Sequence, residues 1–511
     1  MNTSTLSLIS KVTKLTLLIG ATLYLIIYCI LAFFRVQYPF ELEWIEGAVL
    51  DHVIRIISGQ TLYVSPSINF IPSIYNPLYF YLSAAIAKIV GIGFMPLRLI
   101  SFISSLGCFY IIFLIVKQET KSNFSSLLAS GLFAATFKIS GAWFDIARVD
   151  SLYLFFLLSA IYLIKFKKSS RFYIFAGILI SLACLTKQTA LAISLPLIVY
   201  CIISDRRRSL LFISTILILL GVITLVINST HKGWYSYYIS LPKNYAIEKL
   251  MLIHFWTEDI LYPLAIAFIL SLLYIFIQII KSNYENCLFY NLIALGMLGV
   301  SFLSRTQSGG YNNNLFPAYA VISILFGLAI HEVFELIQAG SVAKKEIMGI
   351  YIYLVCIIQF ISLIYNPFLQ IPRKQDLEAG KIFINTIAQF KGEVFVPYHG
   401  YLPTLAGKKS YAHHAAIADI IRTDNGLIKT KLVNEIKQAI KEERFDSIIL
   451  DEARDTKRRP GWFPEVYEEV DKYYKIQKTI FDNKDVFWSV TGMETRPQFI
   501  YVPKERINSR S

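Results

Sequence analysis

Three glutamates crowd into one short segment, Phe40-Glu41-Leu42-Glu43-Trp44-Ile45-Glu46-Gly47-Ala48. Glu43 and Glu46 are three apart, which on a helix places both carboxylates on one face. A carboxylate at a water–lipid boundary is partly desolvated, its proton affinity rises toward working pH, and it can then serve as a general base or hold a cation. The competing reading is the solvated face of a surface helix. Cations recur further along the chain. Arg148 sits between Asp145 and Asp150 in Trp143-Phe144-Asp145-Ile146-Ala147-Arg148-Val149-Asp150, where it either pairs with its neighbours or reaches a ligand phosphate through its fork of donors. Lys187 interrupts sequence that is otherwise apolar from Phe172 to Ile203, and an ionisable residue at such a depth is a functional candidate by default. Arg305 opens the polar connection that runs to Asn314 and contains Gly309-Gly310, Tyr311 and Asn313. Tyr75, Tyr311, Asn313, Asp145 and Asp150 offer the hydrogen bonds that sugar hydroxyls use. Cations for a phosphate and a base for a hydroxyl are the parts of a transferase site.

What must position these groups is a membrane. Charged residues are 16% of the 511 and apolar residues 55%, well short of the roughly 25% charge of a soluble protein. The apolar residues fall in runs of roughly 17 to 24, the length of a helix that crosses hydrocarbon. The expected spans are 14–34, 96–116, 123–140, 150–165, 172–186, 188–203, 209–227, 258–280, 286–303, 315–337 and 347–366, about eleven crossings. Lys and Arg exceed Asp and Glu by 49 to 35, a net charge of +14. The excess lies in short connections, at Lys117/Lys121, Lys165/Lys167/Lys168/Arg171, Arg206/Arg207/Arg208, Lys281 and Lys344/Lys345. Such scatter fits the positive-inside bias and a cytoplasmic N-terminus, and no continuous basic face is left for nucleic acid. The first run is too long for a signal peptide and is expected to be retained.

The predicted fold class is therefore a polytopic α-helical membrane domain, residues 1–366, followed by a small extracytoplasmic α/β domain, residues 367–511. A first outer loop, 35–95, carries the glutamates. Leu42, Ile45, Val49, Val53 and Ile56/Ile57 recur at helical spacing, which predicts an amphipathic helix on the membrane surface with Trp44 in the headgroup layer. The apolar stretch after Tyr75-Asn76-Pro77-Leu78, which contains Lys88 and ends at Gly91–Gly93, is expected to be interfacial or re-entrant. In the tail, Val394–Pro397, Ser447–Leu450 and Phe499–Val502 read as strands and Lys431–Glu442 as a helix. The six cysteines, Cys29, Cys108, Cys184, Cys201, Cys287 and Cys356, all lie in apolar runs as packing residues. His399 and His413/His414 have no carboxylate at ligand spacing, so no metal is assigned to them. A divalent cation, Mg or Mn, held by the first-loop carboxylates is a possible cofactor. The glycosylation-type triplets at Asn2, Asn123 and Asn228 are short enough to arise by chance.

The order of these features resembles the GT-C superfamily of polytopic glycosyltransferases, in particular its bacterial dolichyl-phosphate-mannose-mannosyltransferase-like branch. The resemblance is carried by Glu41-Leu42-Glu43-Trp44-Ile45-Glu46-Gly47, Gly59-Gln60-Thr61-Leu62-Tyr63, Tyr75-Asn76-Pro77-Leu78-Tyr79, Pro96-Leu97-Arg98-Leu99, Ala147-Arg148-Val149-Asp150-Ser151 and Leu185-Thr186-Lys187-Gln188-Thr189. It implies transfer of a sugar from a polyprenyl-phosphate carrier, with inversion, to a lipid, glycan or protein acceptor on the extracytoplasmic side of the cell inner membrane. By position Glu43 matches the family's first-loop acid best, with Glu41 and Glu46 as rivals. Arg148, Lys187 and Arg305 are then expected at the donor phosphate. Two other classes compete: a secondary transporter or flippase of a lipid-linked or anionic substrate, and a non-catalytic assembly protein whose tail binds a partner. Repeated halves that would mark a transporter are not evident, and the ionisable residues gather at one face.

Overall fold

The computed structural model describes residues 3–337, 342–424, 426–454 and 464–504. Asn2, one of the glycosylation-type triplets, lies outside them. The helical part runs α1 (Thr3–Val36), α2 (Glu46–Ile57), α3 (Leu78–Val90), α4 (Phe94–Thr120), α5 (Asn123–Ala135), α6 (Asp150–Phe166), α7 (Ser170–Thr186), α8 (Thr189–Ser204), α9 (Arg206–Thr230) and α10 (Trp234–Ser240). It continues with α11 (Met251–His254), a π-type stretch (Phe255–Leu261), α12 (Tyr262–Ile280), α13 (Tyr284–Thr306), α14 (Phe316–Ile337) and α15 (Val342–Ile361). Local chemistry sets several boundaries. Ser122 caps α5 by accepting from the Ser125 amide at 3.2 Å, and Asp205 caps α9 by accepting from Arg208 at 2.9 Å; each satisfies an amide that has no partner inside its helix.

Among the described residues, six stretches are long and apolar enough to cross a membrane: Ser4–Val36, Phe94–Thr120, Arg206–Thr230, Met251–Ile280, Tyr284–Thr306 and Asn312–Ile337. Each overlaps an expected span. The remaining five expected spans are also helices, α5 to α8 at 13 to 17 residues and α15 at 20. The protein is thus a multi-pass membrane protein. Its helices share one core, in which α1 packs on α5 and α15, and α4 on α5 and α6. Large side chains such as Leu8, Phe33, Ile218, Leu225 and Tyr351 remain exposed on the perimeter, as expected where lipid is the solvent.

The tail folds as the expected small α/β domain. Strands β1 (Glu393–Phe395), β2 (Phe445–Ala453), β3 (Tyr474–Thr479) and β4 (Thr495–Pro503) form a sheet in the order β1-β2-β4-β3. β1 runs parallel to β2, and β4 antiparallel to both β2 and β3. Helices α16 (Lys374–Ala388), α17 (Leu402–Leu405), α18 (His414–Thr423), α19 (Leu427–Lys441) and α20 (Pro464–Tyr473) flank it. Three of the four strands match the sequence reading; β3, with the pattern Tyr-Lys-Ile-Gln-Lys-Thr, is mostly exposed and carries no apolar run.

A second core joins this domain to the first loop. Phe40, Val49, Leu50, Val53, Tyr79 and Phe94 pack in the same cluster as Phe383, Val394, Tyr401, Leu402, Ile448 and Ile449. The amphipathic-surface expectation for α2 is corrected by this contact: the helix starts only at Glu46, and Gly47, Ala48, Val49, Leu50, His52 and Val53 are buried. Trp44, assigned to a headgroup layer, packs on the tail: its ring lies tilted against those of His413 and Tyr398, with centroids 5.1 and 5.7 Å away. The apolar stripe is covered by protein where the sequence reading assigned lipid.

Candidate functional site

Two buried ion pairs fix the frame. Glu46 and Arg98 are both fully buried. Arg98 Nε donates to Glu46 Oε1 at 2.9 Å and Nη2 to Oε2 at 2.6 Å. The same carboxylate accepts from the Leu42 amide at 2.7 Å and the Ala147 amide at 2.6 Å. Arg98 also donates to the carbonyls of Arg35, Tyr38 and Phe40. One guanidinium therefore ties the start of the first loop to α4, and Glu46 ties it to the Asp145–Asp150 loop. The Arg98 charge and the hydrogen bonds from Arg98, Ala147 and Leu42 keep the Glu46 pKa below the ordinary carboxylate value despite full burial. Asp145 is spent in a second such pair, 2.8 Å from Arg35 Nε with both side chains buried.

Glu43 lies just before α2, so the two glutamates do not share a helix face: the Glu46 amide already closes a turn onto the Glu43 carbonyl at 3.0 Å. Glu43 lines a cavity of about 570 Å³. Its Oε2 accepts from the Ile45 amide at 3.1 Å, while buried Oε1 has no hydrogen-bond partner among the described residues. Burial pushes its pKa up to about 8, against the opposing pull of the Arg148 charge. Gly492 closes over it: the residue has φ +78°, and a Cβ there would lie 2.6 Å from Glu43 Cγ.

Arg148 and Lys187 line the same cavity, with Tyr75, Tyr311 and Asn313. Arg148 forms no ion pair among the described residues. It donates to the Tyr75 hydroxyl at 3.1 Å and lies over the rings of Trp143 and Tyr75, 5.0 and 5.4 Å from their centroids. Trp143 in turn stacks on Tyr311 at 4.9 Å. Lys187 breaks the chain between α7 and α8 and donates to Asp150 at 2.8 Å and Asn314 at 3.1 Å. Asn313 donates to the same Asp150 oxygen at 2.9 Å, so Asp150 orients two cavity-lining side chains from beneath.

Arg305 is elsewhere. It pairs with Asp259 on the π-type stretch at 2.9 Å, donates to the Gly310 carbonyl and does not line the cavity. The third cation at the cavity is Arg422, from α18 of the tail. Beside it, Asp419 accepts from Tyr245 at 2.6 Å, and burial raises its pKa to about 6. His52, Tyr398, His413 and His414 complete this wall. His413 Nε2 reaches the carbonyls of Tyr398 and Trp44 at 3.0 and 3.1 Å while Nδ1 accepts from the Ala415 amide. Burial lowers its pKa to about 3, and it is neutral. Of these tail residues only the His413/His414 pair is conspicuous in the sequence, and there without an assigned role; Tyr398, Asp419 and Arg422 carry no local signal, because they reach the site only by tertiary docking.

Glu41 faces away from the cavity. Its Oε1 accepts from the Gly47 amide at 3.0 Å and its Oε2 contacts His399 Nδ1, while His399 Nε2 lies 3.0 Å from Asp451. Two flanking carboxylates raise the His399 pKa to about 10 against the opposing effect of burial. For a divalent cation the fit is poor. Among the described residues the only carboxylates lining the cavity are Glu43 and Asp419, and no group of three or more His, Cys, Asp or Glu converges.

A model of the family described as dolichyl-phosphate-mannose-protein mannosyltransferase matches residues 72–234. The solved structures of ArnT from Cupriavidus metallidurans, in the apo state and bound to undecaprenyl phosphate, each superpose with a TM-score of 0.54 at 10% identity, covering 94% of this chain and 97% of theirs. The Archaeoglobus fulgidus oligosaccharyltransferase, in complex with Zn and sulfate, gives 0.52 at 12% identity, over 85% of this chain and 67% of that one. No curated protein matches. Tail as well as bundle is covered by the ArnT superpositions, and the chain shares its overall fold with these solved structures.

Proposed function

We propose that this protein is an inverting glycosyltransferase that moves a sugar from a polyprenyl-phosphate carrier to a hydroxyl acceptor at the extracytoplasmic face of the inner membrane. The observation that carries the reading is the Glu43 carboxylate: buried, with one oxygen unpartnered, and lining a cavity that also holds Arg148 and Lys187. Glu43 takes the acceptor proton as the hydroxyl oxygen bonds to C1 of the sugar. The bond from C1 to the carrier phosphate breaks, and its electron pair leaves with polyprenyl phosphate. Lys187 and Arg148 neutralise that phosphate, with Arg422 lining the same cavity, because preset charges act strongly where water is excluded. Trp143, Tyr75 and Tyr311 supply flat faces and hydroxyls for the sugar ring. Undecaprenyl phosphate in the ArnT structure supports a carrier of this class. Arg305, paired with Asp259 away from the cavity, holds the connecting loop instead of the phosphate.

The test is transfer of labelled sugar from a polyprenyl-phosphate donor in membranes that contain the full chain. Product is expected with the native protein and is lost with Glu43→Gln at unchanged protein level. Equal product from both would remove the base assigned here.

A further inference from the structure

The tail does more than roof the cavity. Beside the shared apolar core, its contacts with the first loop include a buried charged chain and two glycine backbones in contact. Glu41 bonds His399, His399 bonds Asp451 on β2, and Thr495 on β4 donates to that same Asp451 oxygen. Glu41 and Asp451 thus reach each other's domains through one imidazole that is 3% exposed. Beside this chain, Gly47 and Gly400 meet backbone to backbone. A Cβ on Gly400 would lie 2.5 Å from both the Ala48 amide nitrogen and the Gly47 carbonyl carbon. The Glu41 oxygen that does not meet His399 accepts from the Gly47 amide, so the linkage closes a ring around residues 41–47. Glu43 sits inside that ring, with Gly492 of the tail against its Cγ.

We infer that His399 is a positioning residue: through Glu41 and Asp451 the tail domain holds the 41–47 loop in the one conformation that aims Glu43 into the cavity. This rests on Glu43 as the base, but the geometric link can be read without any transfer assay. Burial of a charged link between two domains stabilises only if every member is paired, and removing one member leaves the others as uncompensated buried charge. A loop freed in this way loses its near-attack geometry, which costs rate more than binding.

The experiment is hydrogen exchange of the full-length protein in lipid nanodiscs, native against His399→Gln, together with steady-state transfer. Amides of residues 42–49 should exchange roughly tenfold or more faster in the variant, while α4 and strands β2 and β4 keep their protection. The turnover number should fall roughly 10- to 100-fold with KM for the polyprenyl-phosphate donor within about twofold. Unchanged exchange at 42–49, or loosening spread evenly through 374–504, would overturn the inference. Glu41→Gln breaks the same link from the loop side and keeps the test available if the histidine variant does not fold. The two changes together should be no worse than either alone. Faster exchange with unchanged turnover would instead overturn the role of Glu43 while leaving the linkage intact.

Discussion

Glu43 and Glu46 are three residues apart, identical in chemistry and both fully buried, yet they occupy opposite electrostatic situations. Glu46 has an arginine fork and two backbone amides, and its proton affinity is lowered. Glu43 has one backbone amide and one bare oxygen, and its proton affinity is raised. A carboxylate that is fully satisfied is a structural member; one left short of partners at a cavity wall is held ready for a proton. The difference is made by Arg98 and Ala147, which lie 52 and 101 residues beyond Glu46.

The contrast can be broken at either end. Glu43→Gln should lower sugar transfer roughly 10²- to 10⁴-fold, measured as labelled product per mole of protein, with the melting curve unmoved. Glu46→Ala should do the reverse in kind. It strands the Arg98 charge and should cost about 3–5 kcal/mol of stability, read as a lower melting temperature and poor recovery from the membrane, with much of the loss restored when Arg98 is also made Met. The cations sharpen the same division. Lys187→Met should reduce kcat/KM for the donor roughly 10²-fold, whereas Arg305→Met, which removes a structural pair with Asp259, should leave the rate of folded protein within a few-fold.

The smallest expected effect is on the pH profile. In the proposed mechanism the ionised form of Glu43 is the base, and burial pushes its pKa up to about 8. Transfer should therefore climb about tenfold per pH unit below that value and level off above it. Arg148 favours the ionised form, so Arg148→Met should move the rising limb to higher pH, by about one unit. A limb that stays in place would mean that another group titrates.

Much of this was legible from sequence because a charge in an apolar chain is conspicuous. Glu43, Arg148 and Lys187 stand out against their surroundings, as do the helices, whose length is dictated by the membrane. Which charge serves which purpose was not legible. Asp145 and Arg305 are as conspicuous as Arg148, but each is consumed by a partner, Arg35 or Asp259, that only packing reveals. Arg98 appears in the sequence as one residue of a short motif, and its hold on Glu46 and on three loop carbonyls depends on how α4 crosses the end of α1. The tail is legible as a small α/β domain because its strands are local patterns, whereas its grip on the loop is made by Gly400, His399 and Gly492, residues with no periodicity to betray them.

The link between Glu41 and His399 spans 358 positions. During synthesis the first loop leaves the ribosome long before its clasp exists, and at about 5–20 residues per second the delay is roughly 20–70 s. Until the last strands are folded, the 41–47 loop of the inserted chain lacks this link. On the proposed function, competence for transfer is then the final event of biogenesis, and a chain that ends before β4 inserts without acquiring it.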